Sequence, residues 1–194
     1  MSLAIIIPIQ RRHYGMLAKF VAKMPDIEAD FFVVEQMNDG EFNKGALFNA
    51  GVREAGAYDH YCFHDPILPI EASYEAKGNI IHLYDYMPRK TYFGGALIIP
   101  AKQLKTVGGF CNTRIGLELD EMRIQLYKIK WGRKKLIERK CVFEEQPKEY
   151  FSEKAVADKL KISRSALDGI YATKYLIKFF SDKKTYKHIG VTLK

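Results

Sequence analysis

Three short polar segments directly follow apolar runs, and their side chains are of types that bind phosphate, ribose or metal ions. The segments are Pro8–Arg12, Glu35–Gly40 and His64–Asp65. Arginine makes charge-assisted hydrogen bonds to phosphate oxygens, and carboxylates bind hard cations. These residue types predict a nucleotide site if the fold brings the three segments together.

The apolar runs have the composition of buried strands, and the stretches between them have helical spacing. Alternating strands and helices predict an α/β fold with a mostly parallel central sheet, in which ligands bind beyond the carboxyl ends of the strands. A C-terminal hairpin is predicted to pair Tyr171–Phe180 with Tyr186–Leu193. The other predicted strands are Leu3–Pro8, Phe31–Glu35, Tyr61–His64, Ile80–Tyr84 and Ala96–Ile99, and the predicted helices are Tyr14–Met24, Asn43–Ala55 and Glu118–Lys128.

Charge is unevenly distributed along the 194 residues, a length that suits one domain. Residues 1–127 contain 13 basic and 15 acidic side chains, whereas residues 128–194 contain 18 and 8, so their net charges are −2 and +10. We therefore divide the single domain into a core, 1–127, and a basic C-terminal extension, 128–194, which includes the hairpin. The basic half indicates an anionic partner, although a solvated lysine-rich surface gives the same charge.

The N-terminal apolar run and the cysteines bear on the cellular compartment. Leu3–Ile9 has seven apolar residues, whereas a membrane span needs about 20. The run also lacks the basic start and cleavage site of a signal peptide. Three cysteines are an odd, sparse count that favours reduced thiols. We expect a soluble, cytoplasmic protein with no transmembrane segment.

Four stretches share their residue types with one known family, in the same order and with roughly the same spacing. Ile5–Arg12 is an apolar strand ending in Pro-x-Gln-x-Arg, and Val34–Gly51 contains Val-x-Gln and then Phe-Asn-Lys. Cys62–Pro69 begins Cys-Phe-His-Asp, and Tyr92–Phe110 begins Tyr-Phe-Gly-Gly. Together they resemble the catalytic domain of the β-1,4-galactosyltransferase family. The resemblance implies a GT-A-like fold and transfer of a sugar, with inversion, from a UDP-sugar donor to a glycan acceptor.

The resemblance also implies the residues of a donor site, and their chemistry is suitable. Arg12 and Lys44 flank predicted strand ends, where cations hold a diphosphate. Phe42 and Asn43 would contact a uracil–ribose unit, although Asn43 also has the residue type of a helix N-cap. Paired glycines allow a sugar to approach the backbone closely. The implied donor-binding set is Pro8, Gln10, Arg12, Asp39, Phe42, Asn43, Lys44, Asp65, Gly94 and Gly95.

The chain departs from the family at the metal motif. Asp65 is the surviving first aspartate, the second has no counterpart, and residues 136–143, where later ligands fall, contain no histidine. Mn²⁺, the cation that the resemblance implies, therefore has an incomplete ligand set, and we expect metal-independent chemistry. Basic residues that would supply positive charge instead are Arg133, Lys134, Lys135, Arg139 and Lys140.

The acceptor motif departs as well, because Leu119 stands where the family has its general-base aspartate. Leucine cannot accept the proton of an acceptor hydroxyl. Glu118, Asp120 and Glu121 are the candidate catalytic carboxylates, with Glu118 and Glu121 on one face of the predicted helix. A solvated acidic helix start is the alternative interpretation. If none of the three acts as a base, the chain is a pseudoenzyme that binds a nucleotide sugar or a glycan.

Two other classes of function are each suggested by a single segment. Residues 155–171 have the pattern of a DNA-binding helix-turn-helix, although Gly169 would interrupt its second helix. His60, Cys62 and His64 alternate along a predicted strand and have the side-chain types of a zinc site. Cys62 also suits a buried strand that binds no metal. We expect no nucleic-acid partner.

Overall fold

A single seven-stranded sheet with helices on both faces forms the described part of the chain. The computed structural model describes residues 1–22, 27–66, 81–82, 95–113, 119, 121–122, 125–126, 169–183 and 185–194. In chain order its elements are β1 (Leu3–Gln10), a 3-10 turn (Arg11–His13), α1 (Tyr14–Ala22), β2 (Asp30–Gln36), α2 (Lys44–Ala55), β3 (His60–His64), β4 (Ile81–His82), β5 (Ala96–Pro100), α3 (Ala101–Val107), β6 (Tyr175–Asp182) and β7 (Lys187–Leu193).

The strands lie in the order β4-β5-β3-β1-β2-β7-β6. The central pairings, β3 with β1, β1 with β2 and β2 with β7, are parallel. The pairings nearer the edges, β4 with β5, β5 with β3 and β7 with β6, are antiparallel. The sheet is therefore mixed, whereas we predicted a mostly parallel one. At the C-terminal edge the cause is the short turn between β6 and β7, since parallel neighbours need a long crossover.

β1 lies at the centre of the sheet and is buried from Leu3 to Ile9 because helices cover both its faces. Ile5, Ile7 and Ile9 lie in one apolar cluster with Leu17 of α1. Ala4 and Ile6 lie in the other cluster, with Leu47, Phe48 and Ala50 of α2. α1 and α2 therefore lie on opposite faces of the sheet, and this arrangement leaves the carboxyl ends of β1 and β2 as the expected ligand site.

α2 begins and packs as its sequence predicts. Asn43 caps its first turn, because the Ala46 backbone N–H donates to Asn43 Oδ1 at 2.9 Å. A Cβ at Gly51 would lie 2.4 Å from Ile6 Cγ2, so glycine is what allows the helix to lie this close to β1. The motif Phe-Asn-Lys followed by Asn49 and Gly51 thus includes residues that dock α2 on the sheet.

The predicted hairpin exists, but its first strand begins four residues later than we predicted. Residues 171–172 form a turn, and β6 begins at Tyr175. The turn is fixed by Thr173, whose Oγ1 donates to the Gly169 carbonyl at 2.8 Å. The helix α3 was not predicted from the sequence.

Candidate active site

The carboxyl ends of β1 and β2 lie side by side, and we call the region between the segments that follow them, Gln10–His13 and Gln36–Asn43, the β1–β2 crevice. After β1 the chain turns to α1 on one face of the sheet, and after β2 it turns to α2 on the other face. Adjacent parallel strands whose connections leave in opposite directions create the usual ligand site of an α/β sheet. Two of the three polar segments identified in the sequence lie at this point.

Arg12, His13 and Phe42 meet in the β1–β2 crevice. The Arg12 guanidinium carbon lies 5.7 Å from the Phe42 ring centroid. The His13 ring packs edge-on against Phe42, with the two ring centroids 4.8 Å apart. Phe42 is partly buried and packs against the main core cluster, which fixes its position. A cation and an aromatic ring in one crevice suit a nucleotide, which offers a flat base and charged phosphates.

Two glutamine side chains hold the loop after β2 in place. Gln36 Nε2 donates to the Glu41 carbonyl at 3.1 Å, and Gln36 Oε1 accepts from the Asn43 N–H at 3.0 Å. Gln10 Nε2 donates to the Gly40 carbonyl at 3.1 Å. Gln10, a predicted donor-binding residue, thus contacts the loop that carries Phe42. The Val-x-Gln motif alone gives Gln36 no role, whereas in the structure its amide contacts the Glu41 carbonyl and the Asn43 N–H and so holds the end of this loop.

Asp65, at the end of β3, is paired with Lys44 of α2. The distance between Lys44 Nζ and Asp65 Oδ2 is 2.8 Å, and the two side chains are 17% and 11% exposed. The Asp65 backbone N–H also donates to the Gly95 carbonyl at 2.8 Å. Burial and the Arg12 charge lower the pKa of His13, and smaller contributions from Asp65, which raises it, and Lys44, which lowers it, indicate that this pair lies near the β1–β2 crevice. These residues therefore extend the crevice toward the end of β3.

The side-chain hydrogen-bonding groups of Asn43 bind other parts of the fold. Its Oδ1 caps α2, and its Nδ2 donates to the Asn112 carbonyl at 2.6 Å. Asn112 is held in turn by Asn49, whose Nδ2 donates to Asn112 Oδ1 at 2.7 Å. Asn112 Nδ2 donates in turn to the Gly169 carbonyl at 3.1 Å. The start of α2 is thus connected by hydrogen bonds to residues 110–113 and to the segment before β6.

The remaining predicted donor residues have different positions. Pro8 is buried within β1 opposite Val34, so its side chain supports the site from inside the sheet. Asp39 is exposed in the loop after β2. Gly94 lies outside the described residues, whereas Gly95 is buried and adopts a φ of 99°.

The predicted acidic helix buries its apolar face. Leu119, Met122 and Leu126 belong to the main core cluster, and these three residues are helical. Glu121 is 1% exposed and accepts a hydrogen bond from Gln125 Nε2 at 2.6 Å. Glu118 and Asp120 lie outside the described residues. Leu119 thus takes a core position where the family resemblance places a proton acceptor.

The remaining predictions concern the helix-turn-helix, the basic residues that would replace a metal ion, and the zinc site. The helix-turn-helix pattern before residue 169, the basic residues 133–140 and the segment 136–143 lie outside the described residues. Burial raises the pKa of the Cys62 thiol, which favours the protonated form that binds zinc poorly. No three His, Cys, Asp or Glu side chains converge on a metal-sized site in the described ranges.

Comparison with known proteins shows which family the chain resembles. Residues 1–72 match the family model described as the N-terminal region of glycosyl transferase group 7. β-1,4-Galactosyltransferase 5 of Danio rerio is 31% identical over 129 residues, which cover 57% of this chain and 34% of that protein. The chain is therefore similar to β-1,4-galactosyltransferases over its N-terminal part. It spans about a third of the length of the curated relatives it matches.

Another relative carries a different sugar in its name. A β-N-acetyl-D-glucosaminide β-1,4-N-acetylglucosaminyl-transferase of Lymnaea stagnalis is 33% identical over 141 residues, which cover 62% of this chain and 29% of that protein. Within this family, sequence similarity to the chain therefore does not single out one donor sugar.

Solved structures show the same fold. The catalytic domain of Drosophila β-1,4-galactosyltransferase 7, in complex with xylobiose, superposes with a TM-score of 0.75 at 19% identity. The match covers 100% of this chain and 94% of the Drosophila domain. A mutant of that enzyme in complex with manganese, UDP-Gal and xylobiose matches equally well. The predicted GT-A-like fold is therefore confirmed. Among the described helices, none is long and apolar enough to cross a membrane.

Proposed function

We propose that this galactosyltransferase relative binds a UDP-sugar in the β1–β2 crevice and transfers the sugar, with inversion, to a glycan acceptor. The observation that carries the proposal is the convergence of Arg12, Phe42 and the Lys44–Asp65 pair at the carboxyl edge of the sheet. The names of the relatives support it, since they are sugar transferases. A structural neighbour holds UDP-Gal and xylobiose.

Each residue of the crevice has a role in this proposal. Phe42 packs against the uracil ring, because every base offers an aromatic face for stacking. Arg12 binds the diphosphate through charge-assisted hydrogen bonds. Gly95, without a side chain, lets the donor sugar approach the backbone beside Asp65.

Titration calorimetry with UDP tests donor binding. Removing a hydrogen bond to a charged group costs about 1.5–3 kcal/mol, so Arg12→Ala should weaken UDP affinity roughly 10- to 150-fold. Lys19→Ala is the control, since Lys19 is an exposed cation on α1 and its loss alters net charge alone. Absence of UDP binding by the wild-type chain, or equal effects of the two substitutions, would contradict the proposal.

We further propose that transfer does not require Mn²⁺. The described residues do not fit a divalent cation well, because the one surviving aspartate, Asp65, is already paired with Lys44 at 2.8 Å. A hard cation needs several oxygen ligands, and a lysine in contact with Asp65 repels it. The negative charge that develops on the leaving diphosphate needs stabilisation. Arg12 and Lys44 supply positive charge next to the β1–β2 crevice.

Measuring UDP release from UDP-sugars, first with EDTA and then with added Mn²⁺, tests this proposal. We expect similar rates in both conditions. Lys44→Met should lower the metal-free rate, and added Mn²⁺ should recover part of it, because the substitution frees Asp65 from its ion pair. A wild-type rate that rises strongly on adding Mn²⁺ would refute metal independence.

Binding without transfer is a second candidate function, and one observation favours it. Leu119 lies in the core at the position of the family's general base, so a proton acceptor must come from Glu118, Asp120 or the buried Glu121. The same UDP-release assay separates the two functions. Release that is abolished in Glu118→Gln, Asp120→Asn or Glu121→Gln identifies the base. No release in any condition, together with intact UDP binding, would support the binding protein.

A further inference from the structure

His13 is a residue of the β1–β2 crevice that the family motifs do not include. It follows Arg12 at the end of the 3-10 turn and is partly exposed. Its ring lies against Phe42, with the ring centroids 4.8 Å apart, and Arg12 Nε lies 3.3 Å from His13 Nε2. The imidazole therefore contacts both Phe42, the proposed base-binding ring, and Arg12, the proposed phosphate-binding cation.

The backbone fixes which nitrogen of His13 carries the proton. The Gln10 N–H donates to His13 Nδ1 at 3.0 Å, and a backbone amide cannot turn its proton away. Nδ1 must therefore be the acceptor, and a neutral imidazole then carries its one proton on Nε2. The ring stays neutral near pH 7, since burial and the Arg12 charge both lower the pKa of His13.

This assignment gives the crevice two neighbouring hydrogen-bond donors. The Arg12 Nε–H is directed at His13 Nε2 across 3.3 Å, but a nitrogen that already bears a proton cannot accept it. The two N–H groups therefore face each other without an acceptor, and an oxygen that accepts from both would relieve their repulsion. Two adjacent N–H groups, one of them charged, match an anionic oxygen better than a neutral one. Burial and then the Arg12 charge lower the pKa of His13 most, and Asp65, which raises that pKa, outweighs Lys44, which lowers it. Arg12 is therefore the main cation beside the imidazole.

We propose that His13 binds the nucleotide diphosphate directly, by donating from Nε2 to a phosphate oxygen that Arg12 also contacts. The proposal rests on the donor site proposed above and adds a binding residue particular to this chain. In the same position the ring edge keeps Phe42 in place for the base. The substrate class that these donors select is a nucleoside diphosphate or its sugar ester, rather than a nucleoside.

Two conservative substitutions separate the ligand-facing role of His13 from its structural role. The side-chain oxygen of asparagine can reach the position of Nδ1, so His13→Asn keeps the acceptor for Gln10 and loses the Nε2 donor. The longer glutamine places its amide nitrogen near Nε2, so His13→Gln keeps the donor and loses the acceptor. His13→Ala loses both.

UDP and uridine affinities, measured by calorimetry at pH 7.5 alongside thermal unfolding, test the proposal. We expect His13→Asn and His13→Ala to weaken UDP binding by ~10-fold or more, with His13→Gln within ~3-fold of the wild type. Uridine affinity should change much less in His13→Asn, because uridine lacks the phosphates. His13→Asn should unfold at nearly the wild-type temperature, so its loss of affinity cannot be attributed to unfolding.

The contrary results are distinct. Full UDP affinity in His13→Asn together with a loss in His13→Gln would mean that His13 only positions the turn, and would overturn the proposal. Equal losses of UDP and uridine affinity in His13→Asn would overturn the phosphate contact. If the wild-type chain binds no UDP, the proposed function fails as well, and that outcome is recognised before any variant is made.

Discussion

Asn49 offers the most direct test of how the fold supports the crevice. Its side chain is fully buried on α2 and makes three hydrogen bonds to the segment after α3. Nδ2 donates to the Phe110 carbonyl at 3.0 Å and to Asn112 Oδ1 at 2.7 Å, and Oδ1 accepts from the Phe110 N–H at 2.9 Å. No backbone ladder satisfies Phe110 in their place, since it follows α3 outside any strand.

Asn49→Ala leaves the buried N–H and carbonyl of Phe110 without these partners. Each unsatisfied buried backbone group costs about 1–3 kcal/mol, so the free energy of unfolding should fall by about 2–6 kcal/mol. UDP affinity should fall as well, because Asn112, which Asn49 holds, accepts the hydrogen bond from Asn43 at the start of α2.

Urea unfolding followed by circular dichroism measures the first effect, and calorimetry measures the second. Lys105→Ala on α3 is the control, because Lys105 is exposed and its truncation should change stability by less than about 0.5 kcal/mol. A loss below about 1 kcal/mol in Asn49→Ala would refute the reasoning, since the hydrogen bonds would then be replaceable by water or by relaxation.

Three other perturbations have signs that the structure fixes. Gly109→Ala should destabilise the chain far more than Gly56→Ala in urea unfolding. Both glycines have positive φ, but a Cβ at Gly109 would lie 2.3 Å from the Ile170 side chain, whereas a Cβ at Gly56 would meet nothing within 4 Å. The free energy of unfolding should fall as the pH drops through 6.5, the ordinary pKa of histidine. Burial lowers the pKa of His60 and His188 in the folded chain, so the unfolded chain binds more protons in this range. Unfolding curves at pH 7.5 and 5.5 that coincide would contradict this. His60→Leu should raise the free energy of unfolding by about 1 kcal/mol and flatten that pH dependence. Both ring nitrogens of His60 are buried and lack a hydrogen-bond partner within the described ranges. Lower stability in this variant would show that the imidazole has a partner in solution.

The sequence was sufficient to predict most of the elements, though not α3, and one edge of the site, because those depend on local patterns. Apolar runs identified β1, β2 and β3, and the cap at Asn43 identified the start of α2. The rule that ligands bind beyond strand ends then indicated the β1–β2 crevice. Arg12 and Phe42 do meet there, 5.7 Å apart, although their role in donor binding stays a prediction.

What could not be predicted depends on contacts between residues distant in the chain. Leu193 donates from its backbone to Asn38 Oδ1 across 155 positions, as β7 adds to the sheet beside β2. No periodicity in either segment encodes that pairing. The buried Glu35 shows the same limit, because its partner His188 lies on β7, with 2.9 Å between His188 Nε2 and Glu35 Oε2. In the sequence Glu35 was only one polar residue among several after a strand.

His13 was missed for a different reason. A histidine next to two arginines has no local signature, and its importance comes from the Gln10 amide that fixes its tautomer and from Phe42, which is 29 positions away. The departures from the family were readable at single positions, since a leucine at 119 cannot act as a base. The burial of Leu119 with Met122 and Leu126 explains what the residue does instead.

A crystal structure of the chain with UDP tests the central claim most directly, because it locates the nucleotide relative to the crevice residues. We predict that the uracil lies against Phe42 and that the diphosphate contacts Arg12 and His13 Nε2, with Lys44 still paired to Asp65. UDP bound elsewhere on the sheet, or a metal ion between the diphosphate and Asp65 with Lys44 displaced, would contradict the account.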